Sequence, residues 1–175
     1  RGAFDARRAR RAEKALSVVG SPPWTNDPNE LRDVMRAQCA AVMMRVRDLG
    51  LPLEIFETRR SEERQRYLFS EGASKIRKKG AHVAGLAFDV VVREGDGDLS
   101  WRTGLSKNRR YVIDPVRFGI WRRYGALLRD EFPALRWGGR FGVLRRQLMG
   151  WDPYHAELKV WRKYPVTSSA VVDAG

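Results

Sequence analysis

Residues 85–93 read GLAFDVVVR, and this stretch decides the fold. It is short, apolar and rich in β-branched residues, which is typical of a buried β-strand rather than of a helix. Asp89 interrupts the apolar run near its start. A carboxylate that is nearly buried in a strand needs a cation or strong hydrogen-bond donors. The stretch therefore predicts a strand that carries a functional group.

A metal site is predicted from the residues around Asp89. His82 precedes it by seven positions, and the one other histidine of the chain, His155, follows Asp152 by three positions in WDPYHAE. A catalytic zinc site takes three protein ligands, leaves one position for water and needs a nearby base. We expect His82, Asp89 and His155 to bind zinc, Asp152 to act as the base, and Glu157 to orient the His155 imidazole. Isolated histidines are more often simply hydrogen-bonded, and it is the matching carboxylates that favour the metal site here.

Hydrophobic periodicity and turn residues predict the elements of the first half of the chain. A helix is expected between an Asp27–Glu30 capping box and Gly50. Met43 and Met44 are expected in its core. A strand is predicted over residues 53–58.

The sequence after residue 58 predicts further elements and two irregular stretches. The elements are a short helix between Ser61 and Gly72, a long helix after Asp114–Pro115, and a last strand that begins at His155. Residues 95–114, around an isolated Trp101, are expected to be irregular. The stretch RWGGRFG, residues 136–142, is interpreted as a glycine turn because it lacks the spacing of a phosphate-binding loop.

These elements predict a single α+β domain, with a small, mainly antiparallel sheet flanked by helices. Residues 26–165 are expected to form the catalytic domain, after a basic segment over residues 1–25 and before a tail over residues 166–175. Neither a hydrophobic stretch of membrane-spanning length nor a secretory signal segment is predicted. Cys39, the single cysteine, is expected to be a buried structural thiol.

The net charge of +13 indicates an affinity for polyanions. Nucleic acid and the anionic polymers of a bacterial envelope both fit this charge. The basic residues are scattered along the chain, without the aromatic-basic stripe that single-strand binders use. We therefore expect anionic envelope polymers as partners and no specific nucleic acid.

The pattern H-x6-D followed by D-x-x-H resembles the M15 zinc peptidases, the group of D-Ala-D-Ala carboxypeptidases and phage L-alanyl-D-glutamate endopeptidases. The stretch ETRRSEERQRYLFSEGAS resembles the strand-turn-helix of that family, which carries an Arg-Ser pair and then an Arg-Gln pair. The resemblance covers about residues 30–160. Two positions depart from the family: Gly80 stands where the family usually has Ser, and the base is the shorter Asp152.

The resemblance implies one Zn²⁺ per chain, held by His82, Asp89 and His155, with Asp152 as the catalytic base. It also implies that Arg60, or its neighbour Arg59, binds a substrate carboxylate or polarises the scissile carbonyl. A surface charge is the alternative for Arg60.

The function implied is cleavage of the peptidoglycan stem peptide at the L-Ala–D-Glu bond, by an endolysin-like monomer. A D,D-carboxypeptidase and, in another class, a basic nucleic-acid-binding protein without catalysis are the alternatives. The expected place of action is the bacterial wall, in the periplasm or outside the cell. A phage-encoded enzyme would be made in the host cytoplasm and released at lysis.

Overall fold

The computed structural model describes residues 22–77, 79–144 and 146–165. Most of the predicted basic segment, and all of the predicted tail over residues 166–175, lie outside these ranges. The described chain has the predicted α+β fold, with a small antiparallel sheet and helices packed against it. None of its helices is both long and apolar enough to cross a membrane.

Three α-helices and five strands make up the regular structure of the described residues. The helices are α1 (Asp33–Asp48), α2 (Glu62–Ser70) and α3 (Pro115–Glu131). The strands are β1 (Leu53–Glu57), β2 (Ala87–Arg93), β3 (Leu99–Ser100), β4 (Leu135–Trp137) and β5 (His155–Leu158). The predicted strands at 53–58, within 85–93 and from His155 are thus confirmed.

The predicted helix caps are confirmed for α2 and α3. The Ser61 hydroxyl accepts a hydrogen bond from the Arg64 backbone N–H at 3.1 Å. The Asp114 carboxylate does the same for the Arg117 N–H at 3.1 Å. Each cap satisfies a donor that has no partner within its own helix.

The predicted start of the first helix was wrong. Residues Pro28–Glu30 form a separate 3₁₀ turn, capped by Asp27, and α1 begins at Asp33. The chain is extended between the two because the Arg32 backbone N–H donates to the Gly85 carbonyl at 3.0 Å. A tertiary hydrogen bond therefore overrides the local capping box.

The strand order is β1-β2-β5-β4, with β3 paired to β2, and all pairs are antiparallel. Strand β5 pairs with the start of β2, and β3 pairs with its end. Two of these strands were not predicted. Strand β4 begins just before the glycine turn, and β3 lies in the stretch 95–114 that was expected to be irregular. Trp101 of this stretch packs edge-on against Phe56, with ring centroids 4.6 Å apart.

The two faces of the sheet have different neighbours. Side chains alternate between faces along a strand, and Phe88, Val90 and Val92 of β2 belong to the apolar core. Helices α1 and α3 contribute to the same core, with residues such as Cys39 and Trp121 fully buried. Asp89, between two core residues, therefore points to the opposite face, which holds the candidate site.

Two core predictions on α1 have different outcomes. Burial raises the pKa of the Cys39 thiol to about 12, so the expected structural thiol is confirmed. Met43 is buried as expected, but Met44 is 58% exposed, and its predicted place in the core was wrong. One residue further along a helix turns a side chain by about 100°, which moves Met44 away from the sheet.

Candidate metal centre

The register of the sheet forms the base of the site. Glu57 of β1 lies opposite Asp89 of β2, and Asp89 lies opposite His155 of β5. Residues opposite each other on adjacent strands project from the same face. Three ionisable side chains therefore form a row across the face that α1 and α3 leave open.

His82 joins this row from the turn before β2. Gly85 adopts a left-handed backbone with φ of 66°, and its N–H donates to the His82 carbonyl at 3.0 Å. This closes a tight turn that glycine adopts without a steric cost. The imidazole is held by its Nδ1, which donates to the Thr58 carbonyl at 2.6 Å. Its Nε2 is therefore left to face Asp89.

Three predicted ligand atoms converge at this point. Asp89 Oδ1 lies 3.1 Å from His82 Nε2 and 2.9 Å from His155 Nδ1. The two imidazole nitrogens are 3.1 Å apart. All three ligand atoms lie within 4.8 Å of one another, and both histidines are buried. Two imidazole nitrogens and one carboxylate oxygen are a donor set that catalytic zinc takes, so these residues fit the metal.

Glu157 contacts the far side of the His155 ring, as expected. The carboxylate accepts from His155 Nε2 at 3.0 Å and from Arg136 Nε at 2.9 Å. A contact of this kind fixes the tautomer and orientation of a ligating imidazole. Both histidines thus have one nitrogen bound by the protein and the other nitrogen turned to the centre.

The charges of Asp89, His155 and Glu157 strongly shift one another's pKa values. Burial alone would raise the pKa of Asp89, but His82 and His155 hold it well below its usual range. Burial alone would lower the pKa of His155, but hydrogen bonds to Asp89 and Glu157 raise it to about 10. Burial likewise opposes ionisation of Glu157, yet its hydrogen bond to His155 lowers its pKa to about 2. A metal ion that binds here would have to displace a proton from His155.

Arg60 is a buried residue at the centre and not a surface charge. Its Nε donates to Glu57 at 3.1 Å, its Nη1 donates to Gln65 at 2.9 Å, and its Nη2 lies 3.5 Å from Asp89 Oδ2. Its neighbour Arg59 instead lies 3.8 Å from Glu30. Of the two arginines, Arg60 lines the site.

Glu57 is a site residue that the sequence reasoning missed. It is 2% exposed and accepts from both Arg60 and Arg64, the latter at 2.5 Å from Nε to Oε1. A buried carboxylate of this kind requires paired cations. The signal that could have found it is a carboxylate at the end of an apolar strand that is followed, three and seven residues later, by arginines.

Asp152 lines the same cleft as the three ligands but is outside the group of converging ligand atoms. Its charge contributes to the raised pKa values of Arg60 and His155, which places it within electrostatic range of both. Trp137 Nε1 donates to the Pro153 carbonyl at 2.8 Å and fixes the neighbouring backbone. This position agrees with a base that accepts a proton without ligating the metal.

Gly138 is a second residue whose role the sequence reasoning missed. A Cβ there would overlap the Asp152 carbonyl oxygen and lie 2.9 Å from His155 Cβ. The glycine pair of residues 136–142 thus has a packing role besides making a turn. It allows the 3₁₀ turn Gly138–Arg140 to lie directly against the segment that carries Asp152 and His155.

The centre opens into a cleft of about 560 Å³. Lys75 and Trp151 line it, with the Lys75 ammonium 4.3 Å from the Trp151 ring centroid. Gly80 also lines the cleft, and a Cβ there would meet Ile76 at 3.7 Å, an ordinary contact. The backbone at position 80 therefore has room for a Cβ atom, although the sequence has glycine there.

No protein-family model matches the sequence, and no curated protein matches it either. Among solved structures, the L-Ala D-Glu endopeptidase ChiX of Serratia marcescens is similar, with 22% identity over 86% of this chain and 98% of that chain and a TM-score of 0.47. The LdcB LD-carboxypeptidase is similar with 16% identity over 76% of this chain and 62% of that chain, and a TM-score of 0.42. The interpretation of the site therefore rests on its own geometry.

Proposed function

We propose that this protein is a zinc-dependent peptidase that hydrolyses an amide bond in the peptidoglycan stem peptide, at L-Ala–D-Glu. The observation that carries the proposal is the convergence of His82 Nε2, Asp89 Oδ1 and His155 Nδ1 next to Asp152 in an open cleft. The resemblance of these motifs to the M15 peptidases supports the assignment. Membership of that family stays a prediction.

The residues of the cleft divide the chemistry of amide hydrolysis among them. A bound zinc ion would supply a Lewis acid that polarises the carbonyl and lowers the pKa of water towards about 7. Asp152 accepts the proton of the attacking water and passes it to the leaving amine. The Arg60 guanidinium, fixed by Glu57 and Gln65, offers positive charge to the oxyanion that develops on the substrate.

The proposal extends to partners and place of action. A monomer with one zinc ion would act on the bacterial wall, in the periplasm or outside the cell, and anionic envelope polymers would hold it there by charge. A phage-encoded protein would reach the wall at lysis. The basic cleft supports an acidic peptide as substrate, because three carboxylates face five cationic side chains among its lining residues.

The alternatives differ in their products. A D,D-carboxypeptidase releases free D-Ala from the stem peptide, whereas an L-Ala–D-Glu endopeptidase creates a new N-terminal Glu. A nucleic-acid-binding protein without catalysis releases neither. The buried cluster of ligand atoms favours an enzyme over this last class, since nucleic-acid binding gives no reason to converge two histidines on a carboxylate.

Digestion of purified peptidoglycan followed by mass spectrometry tests the proposal. The zinc-loaded protein should generate N-terminal Glu, and a chelator should stop the reaction until zinc is restored. Release of D-Ala alone would show that the protein is a D,D-carboxypeptidase and does not cleave the L-Ala–D-Glu bond. Failure to cleave any stem peptide with zinc bound would contradict the proposed function.

A further inference from the structure

We infer that Arg140 and Arg162 each bind a carboxylate of the substrate, so that the cleft selects peptides with at least two free carboxylates. The inference rests on the proposed function and names the substrate class that the site would accept. Its starting point is the charge of the cleft, which is lined by Arg60, Lys75, Arg136, Arg140 and Arg162.

Two of these cations form ion pairs within the protein. Arg60 is held by the buried Glu57 and lies 3.5 Å from Asp89. Arg136 pairs with Glu157. These ion pairs hold the walls and ligands of the site. Lys75 lies over the Trp151 ring.

Arg140 and Arg162 differ from Arg60 and Arg136. Both are exposed at the cleft, and over residues 22–77, 79–144 and 146–165 neither forms an ion pair with a carboxylate. The Arg162 guanidinium carbon lies 4.7 Å from the centroid of the buried Trp161 ring, which holds the charge at the wall of the cleft. Two cations are thus presented to whatever enters the cleft.

The topology separates the two arginines along β5. Arg140 ends the 3₁₀ turn that follows β4, and Arg162 lies in the turn Trp161–Lys163 that follows β5. Because β4 and β5 are antiparallel, these turns lie at opposite ends of the strand pair. His155 and Glu157 lie between them. A peptide that spans the two arginines would therefore pass over the metal ligands.

Guanidinium groups suit this task because their planar donors bind a carboxylate with two parallel hydrogen bonds. A charge-assisted hydrogen bond of this kind in a partly enclosed cleft changes affinity about tenfold. The stem peptide carries carboxylates on D-Glu and at its C-terminus, and the two arginines match them in number and sign.

The test compares three forms of the γ-linked tetrapeptide L-Ala–D-Glu–L-Lys–D-Ala. The first has both carboxylates free, the second has the D-Glu α-carboxylate amidated, and the third has the C-terminal carboxylate amidated. The zinc-loaded full chain is expected to lose about tenfold in kcat/KM with each amidation. Arg140→Gln and Arg162→Gln should each abolish one of the two preferences. Arg47→Gln removes the same charge from the exposed surface of α1 and should retain both preferences.

Calorimetric binding of the same peptides to zinc-loaded Asp152→Asn separates this inference from the proposed function. Preferential binding of the diacid without cleavage by the wild type would contradict the proposed function and leave the inference standing. Equal binding of the three peptides, or full preference retained by either arginine variant, would overturn the inference. Equal loss of preference in Arg47→Gln would also overturn it, because the effect would then be one of net charge.

Discussion

At the centre of the site, each histidine has one nitrogen committed before any metal arrives. Thr58 fixes His82 through Nδ1, and Glu157 fixes His155 through Nε2. The remaining nitrogens face Asp89, so the ligand atoms are oriented by the fold. Such preorganisation lowers the entropic cost of binding an ion.

Zinc binding is expected to displace a proton from His155. Its pKa of about 10 in the metal-free protein means that the imidazole carries a proton at pH 7 and must lose it to ligate. Zinc affinity should therefore rise with pH, about tenfold per unit between pH 7 and 9. Calorimetry in buffers of different ionisation enthalpy should show about one proton released per zinc ion. An affinity that does not change over this range would contradict the coupling.

Asp152→Asn should retain zinc and lose turnover. The amide keeps the shape of the side chain but cannot accept a proton, and a general base contributes about 10²–10⁴-fold to the rate. Steady-state kinetics together with metal analysis checks both halves of the expectation. Asp98→Asn, at an exposed position in the loop before β3, is the matched control. Unaltered hydrolysis by Asp152→Asn would show that another group is the base.

Among the elements, β2 and β5 organise the site through their register. A shift of one residue would turn every side chain of a strand to the other face, and would place Asp89 in the apolar core. The segment after β4 has an equally strict requirement. Its glycine at position 138 allows the backbone to lie against residues 152–155.

Gly138→Ala is expected to displace the segment that carries Asp152 and His155. The added methyl group would overlap the Asp152 carbonyl oxygen, and overpacking of this kind costs about 1–3 kcal/mol of unfolding free energy. The free energy of unfolding, measured with denaturant, and the affinity for zinc should both decrease. Gly95→Ala meets no atom within 4 Å and serves as the control. A Gly138→Ala protein with the wild-type unfolding free energy and zinc affinity would contradict this role.

Over the whole molecule, the net charge of +13 is expected to hold the protein on the anionic wall. Exposed charges are screened within about 10 Å at 0.1 M salt. Raising the salt concentration from about 0.05 to 0.5 M should therefore release most of the bound protein. Co-sedimentation with purified walls measures this, and walls stripped of anionic polymers are the control. Salt-independent binding would contradict the expectation.

Local sequence patterns were sufficient to predict part of the structure. The strand around Asp89, the caps at Ser61 and Asp114 and the last strand at His155 follow from periodicity and turn chemistry, which act over a few residues. The break before α1 depends on a hydrogen bond between Arg32 and Gly85, residues that are distant in the sequence. A rule based on neighbouring residues cannot predict that contact.

The same division applies to the site. His82, Asp89, His155 and Asp152 could be found because histidine and carboxylate spacings are visible in the sequence, and the structure brings all four to one cleft. Glu57 could not be placed from its neighbours alone, since its role depends on the register of β1 with β2. The burial of Arg60 follows from that same carboxylate.

The central claim is that His82, Asp89 and His155 bind one zinc ion. Native mass spectrometry of the zinc-saturated chain, compared with His82→Ala and His155→Ala, tests it most directly. The account predicts a mass increase of one zinc ion for the wild type and none for either variant at the same zinc concentration. A wild-type chain that binds no zinc, or variants that retain it, would contradict the account.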